Sequence, residues 1–191
     1  MTLLFLSGPS VEPVSLAEAK AHLKVDTADE DALIGSLILT SRLHAEAALG
    51  LAFIQQQWRL LLDTWPPGGA VTLPLRPVTS IDAVRVLASD GTPTTLPPSS
   101  YALEPGARRQ RLIPESANWP LPGRRALGIE IDFTAGFGVT SASVPEDIRH
   151  AILLLVAHWY EHRDVIEIGS AATRIPSIVS ELLANWREPR L

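Results

Sequence analysis

Proline is the residue that most restricts what this chain can fold into. It fixes its own φ and donates no backbone hydrogen bond, so it stops helices and sits only at the edges and bends of sheets. The chain has 16 prolines, and they cluster between Trp65 and Pro122. The middle is therefore expected to be loop-rich and β-rich, while the proline-poor ends are free to be helical. With 191 residues, 46% of them hydrophobic, there is enough apolar material for one packed domain of ordinary size, or for a core with one sizeable insertion.

The ends carry helix signals. Ser15 begins "SLAE", a capping box in which the Glu18 carboxylate reaches back to the Ser15 amide. Leu16, Ala19 and Leu23 then share one face. "TADE", Thr27 to Glu30, spells a second box, and Asp29, Glu30 and Asp31 suit a positive helix N-terminus. Ile34, Leu37, Ile38, Ser41, Ala45, Ala48 and Leu49 recur at helical spacing, and Gly50 suits the residue after the last turn. Small residues in the later turns leave room for another helix to come close.

A third box, "SVPE" from Ser143, places Pro145 in a first turn. The helix it predicts carries Ile148, Ala151, Ile152, Leu155, Val156 and Trp159 as one stripe, with Leu153 and Leu154 off it. A helix apolar on several sides is covered by more than one neighbour. After the connection "EIGSAATR", Pro176 opens a last helix bearing Ile178, Val179, Leu182, Leu183 and Trp186, and Pro189 ends it.

The middle reads as strands. "WRLLLD" and "AVTLPL" flank the turn "TWPPGG"; "SIDAVRVLAS" and "TPTTL" flank the tight Asp90-Gly91 turn of a hairpin; "YALEPG" and "RQRLIP" are weaker strand signals. "LGIEIDFTAG" alternates, with Ile129, Ile131 and Phe133 on one face and Glu130, Asp132 and Thr134 on the other. The expected fold class is α+β. A helical core of about residues 14–50 and 143–188 surrounds a small antiparallel β-rich insertion of about residues 53–138, within one domain of residues 1–191.

Composition narrows the chemistry. There are no cysteines, so a disulfide framework and any thiolate site are excluded, which fits a reducing compartment. The N-terminal "MTLLFLSGPS" has no basic stretch before its apolar run, so no secretory signal is expected, and "AILLLVA" is too short to span a bilayer. The net charge of 16 − 21 = −5 repels nucleic acid as a whole. Arg108, Arg109, Arg111, Arg124 and Arg125 form a local exception, read as a solvated or subunit-contacting loop or, alternatively, as a phosphate contact. "GFG", Gly136 to Gly138, lacks the third glycine and the following helix of a nucleotide site, and no nucleophile elbow occurs.

"HWYEH", His158 to His162, matches the H-x-x-E-H spelling of a zinc peptidase. Two histidines four apart lie about 40° apart around a helix and can share one ion, with Glu161 as general base. A zinc-dependent hydrolase is the alternative reading. It needs a third ligand, and Glu167, Glu181 and Glu188 are the only acidic residues downstream of Asp164. The favoured reading is a histidine beside Trp159 at a packed or contacting helix end, with no metal and no cofactor. Trp186, with Arg187 and Arg190 near the end of the chain, has the composition of an interface anchor.

The order of these features resembles one family. "PVSLAEAKAHLKV…EDALIGSLILTSRLHAEAALG", then "LPLRPVTSIDAVRV" and "IEIDFTAGFG…VPEDIRHAILLLVAHWYEHRD", is similar to the head–tail connector (adaptor) proteins of tailed phages and phage-like gene transfer agents. The resemblance covers about Pro13 to Asp164. It implies a non-enzymatic virion protein, made in the bacterial cytoplasm, that forms a dodecameric ring on the portal protein and extends the DNA channel toward stopper or tail proteins. A related virion role, stopper or tail-completion protein, is the nearer alternative. On that footing Ile178, Leu182, Leu183, Trp186, Arg187 and Arg190 are expected to contact the portal or another partner, and Leu153, Leu154, His158 and His162 a neighbouring subunit.

Overall fold

A computed structural model describes residues 1–104, 109–115, 118–162 and 176–187. The fold is α+β, and the chain divides into two compact units. One comprises Met1–Pro9 and Gly50–Phe137, the other Ser10–Leu49 and Gly138–Leu191.

The first unit is built of antiparallel strands: β1 (Thr2–Ser7), β2 (Gln56–Leu62), β3 (Val71–Thr72), β4 (Val78–Leu87), β5 (Pro93–Thr95), β6 (Tyr101–Leu103), β7 (Arg111–Pro114) and β8 (Ile129–Ala135). Five of them form a sheet in the order β1-β2-β8-β4-β5, and three form a smaller sheet in the order β3-β7-β6. β8 is central because its alternation serves two neighbours at once. Phe133 lies opposite Trp58 and Ile81, and Ile131 opposite Leu60 and Val84. These side chains share one face, where Leu60, Val84, Ile129, Ile131 and Phe133 are fully buried.

The Asp90-Gly91 hairpin forms as expected. Gly91 takes φ +88°, and Asp90 Oδ1 accepts from the Thr92 amide at 2.9 Å. The anticipated "AVTLPL" strand shrinks to Val71–Thr72, since Pro74 ends its pairing. Trp65 and Trp119 stack with centroids 4.1 Å apart, and their Nε1 atoms donate to the Pro120 and Gly69 carbonyls at 2.8 and 2.6 Å. Gly136, at φ +142°, brings the chain so close to Ile54 and Gln55 that a Cβ would lie 2.5 Å from their backbone atoms.

β1 departs from the expectation of a helical N-terminal end. "TLLFLS" has four consecutive apolar residues and no alternation, so its period fits neither element. Pairing decides the matter, with Leu3 opposite Leu60 and Phe5 opposite Trp58, whose rings meet edge to face at 5.1 Å.

The second unit contains α1 (Leu16–Leu23), α2 (Asp31–Leu49), α3 (Glu146–Glu161) and α4 (Ser177–Leu182). α3 packs against all three of the others. Its Ile148, Ala151, Ile152, Leu155 and Val156 are fully buried, and Leu153 and Leu154 are partly covered. The Ser15 capping box is present in both directions, and the hydrogen bonds from Ser15 hold the Glu18 carboxyl below its usual range, with help from Arg149. α2 ends at Leu49, and Gly50 after it takes the left-handed region, φ +64°.

The other two boxes do not form. At "TADE" the Asp31 amide turns back to the Ala28 carbonyl, the Glu30 carboxylate accepts from the Tyr160 hydroxyl, and α2 starts only at Asp31. At "SVPE" the Ser143 hydroxyl meets Thr140 Oγ1 at 3.0 Å, Glu146 pairs with Arg149 at 2.7 Å, and Pro145 itself precedes the first turn. In both places a tertiary or neighbouring partner takes the carboxylate that the box requires.

Candidate functional site

α2 is the element whose composition and exposure disagree most. An amphipathic helix ordinarily turns its charges outward. Here Arg42 and Glu46 are only 5% and 8% exposed. Arg42 Nε donates to Glu12 at 2.7 Å and Nη1 to Glu46 at 2.8 Å, while Asp31 pairs with Lys20 at 2.6 Å. Burial works against the Arg42 charge, but the two carboxylates outweigh it and raise its pKa above the usual arginine value. The outer arc of α2, through Leu33, Ser36, Leu39, Leu43 and Ala47, is left without an ionised side chain.

The β-unit holds a second charge cluster on the sheet face opposite its core. Asp132 accepts from Arg59 Nε at 2.6 Å, Arg59 Nη2 at 2.9 Å and Arg85 Nη1 at 2.7 Å. Glu130 lies 3.5 Å from both guanidinium groups. Burial opposes ionisation of Asp132, but the arginine hydrogen bonds and charges prevail and hold its carboxyl below the ordinary value. The cluster balances two positive against two negative groups, so it ties β2, β8 and β4 together and leaves no net charge for a ligand. The alternation of β8 located Glu130 and Asp132 on one face; nothing local in the sequence identified Arg59 and Arg85 as their partners.

The expected C-terminal contact residues are divided by the fold. Leu183 is buried and Leu182 partly covered, whereas Ile178 is 51% exposed and Arg187 is exposed. Trp186 is partly covered, and its Nε1 donates to Asp147 Oδ2 at 2.7 Å at the start of α3. Arg190 lies outside the described residues. Of the basic cluster, Arg111 is held by Glu104 through two bonds of 2.6 and 2.9 Å, Arg124 and Arg125 are exposed, and Arg108 lies outside the described residues.

"HWYEH" does not form one helical face. α3 ends at Glu161, and His162 follows it with φ −111°, ψ 61° and an exposed side chain. The His158 and His162 rings lie 4.6 Å apart, and His162 Nδ1 meets the His158 carbonyl at 2.8 Å. Among the described residues no three histidine, aspartate or glutamate side chains gather as metal ligands. Trp159 meets His44 of α2 edge to face at 5.7 Å. Among the described residues, no helix is long and apolar enough to cross a membrane.

The class defined so far is an α+β scaffold whose buried ionised groups are committed to one another. No family model matches the chain, and no curated protein matches it by sequence. Solved structures do, over the whole length. A chain in the neck of an empty gene transfer agent particle, computed with C6 symmetry, is 32% identical with a TM-score of 0.85. One in the neck of a native particle, computed with C12 symmetry, is 30% identical with a TM-score of 0.82. One in the virion of a native particle is 30% identical with a TM-score of 0.83. Each match covers 100% of this chain and 97% of the other. The chain belongs to this family of gene transfer agent neck proteins.

Proposed function

We propose that the chain is a head–tail connector, or adaptor, of a gene transfer agent or phage particle. It works without catalysis, as one of twelve copies in a ring that seats on the portal and continues the DNA channel toward the tail. The observation that carries this reading is likeness over the entire chain to neck proteins from particles computed with sixfold and twelvefold symmetry. The net charge of −5 agrees with a channel wall past which DNA slides, because each phosphate neutralised by a lysine or arginine adds affinity and drag. Subunit contact through Leu153, Leu154, His158 and His162, and portal contact through exposed Ile178 and Arg187, belong to the same reading.

Electron microscopy of particles from cells expressing the tagged full-length chain tests it. A ring of this chain between capsid and tail is expected. Finding the chain in the tail tube or capsid shell overturns the proposal. Ile178→Glu with Arg187→Glu, both at exposed positions, is expected to leave the melting temperature unchanged and to abolish joining to portal-bearing heads.

A further inference from the structure

Among the described residues thirteen large hydrophobic side chains are exposed, and they are not scattered evenly. Four belong to the N-terminal strand region: Met1 at 70%, Leu4 at 42%, Phe5 at 56% and Leu6 at 45%. Three belong to α2: Leu33 at 37%, Leu39 at 42% and Leu43 at 52%.

Both places lack the features that keep a surface to itself. Among the described residues β1 is an edge of the five-stranded sheet, with no strand beside its outer row of amides and carbonyls. Edges are ordinarily guarded by lysine, proline or an inward charge. The opposite edge, β5, begins with Pro93 and is followed by Pro97 and Pro98, whereas Thr2–Ser7 contains no proline and no charge. The α2 arc is also unguarded along Leu33, Leu39 and Leu43: Arg42 is buried on Glu12 and Glu46, the Asp31 side chain at the first turn is 36% exposed but paired with Lys20, and the exposed His44 at its margin meets Trp159 edge to face.

We infer that these are the two halves of one subunit–subunit contact: the β1 edge of one copy seats on the uncharged outer face of α2 in the next copy. The inference rests on the ring reading above. A closed ring of identical chains joins two different patches of the same protein at every contact, since a patch that pairs with itself gives two-fold dimers. Thr2–Ser7 and the exposed face of α2 from Leu33 to Ala48 are two such patches, both largely apolar and neither exposing a lysine, arginine, aspartate or glutamate. A helix laid along an exposed strand is also one of the ways in which proteins cover an edge.

The chain has no cysteine, so introduced ones are unique. Leu6→Cys and Leu43→Cys are made singly and together in the full chain, assembled into particles, and treated with a short bismaleimide. The double variant is expected to give a ladder of covalent multimers of this chain, and each single variant only monomer. Dimers from Leu6→Cys alone, cross-links to a different polypeptide, or no ladder in particles whose ring is visible by electron microscopy would each overturn the contact. Absence of the ring itself from unmodified particles removes the ring reading, and this inference with it.

Folding is controlled separately. Leu39→Glu with Leu43→Glu, at exposed positions, is expected to keep the melting temperature and lose ring assembly, and Leu39→Met with Leu43→Met to keep both. Normal rings from the glutamate variant overturn the contact.

Discussion

Replacing Asp132 with asparagine tests whether the charge cluster on the outer face of the sheet stabilises the β-unit. The side chain keeps its shape, but it loses its charge and turns one donor group toward arginines that offer only donors. Three charge-assisted hydrogen bonds of 2.6, 2.9 and 2.7 Å are affected. Each such bond contributes roughly 1.5–3 kcal/mol when dry. The Arg59 and Arg85 side chains are 29% and 25% exposed, so water replaces part of what is lost, and Glu130 stays within 3.5 Å of both. The net loss is expected to be about 2 kcal/mol, or a fall in melting temperature of about 4–8 °C for a chain of this size.

The pH dependence supplies the sharper check. The Asp132 carboxyl is depressed in the folded protein from an ordinary value of 3.8. Its stabilisation is therefore complete well above 3.8 and is lost as pH falls through the lower folded value. Urea melts of the wild type and Asp132→Asn should differ at neutral pH and converge as the pH falls through the lowered folded-state value, because asparagine has no proton to gain. A gap under about 0.5 kcal/mol at neutral pH, or one that persists in acid, refutes the argument.

Two further changes probe the helical unit. Ser41 is fully buried in α2, and its hydroxyl has no hydrogen-bond partner among the described residues, so Ser41→Ala should stabilise the chain by about 1 kcal/mol in chemical denaturation. A loss of stability would mean that the hydroxyl is satisfied. Trp186→Phe removes the bond to Asp147 and should cost about 1–2 kcal/mol. Combined with Asp147→Asn the losses should fall short of additive, and full additivity in the double-mutant cycle would show that the two side chains do not interact.

Several features that rest on neighbours in the chain are legible in the sequence. The Ser15 box, the Gly50 stop, the Asp90-Gly91 turn and the two-residue period of β8 need only residues within a turn or a strand of one another. The buried stripe of α3 was visible for the same reason, as a 3.6-residue repeat. The boxes at Thr27 and Ser143 had the same spelling as the one at Ser15 and still did not form. Tyr160 and Arg149, more than a hundred residues and three residues away from the carboxylates they hold, compete for Glu30 and Glu146.

The contact surfaces divide along the same line. That α2 is an amphipathic helix follows from its repeat alone. That Arg42 and Glu46 are buried, leaving the arc from Leu33 to Leu43 without a lysine, arginine, aspartate or glutamate, depends on Glu12 arriving from another segment to pair with Arg42. That Met1–Leu6 is apolar is plain in the sequence, but only pairing with β2 makes it a strand at a sheet edge. The α+β class and the strongest local turns and caps follow from the sequence alone, because those depend on short-range periodicity and backbone chemistry. Strand order, the partners of buried charges and which apolar residues stay exposed were decided by tertiary structure, because each depends on residues brought together from far along the chain.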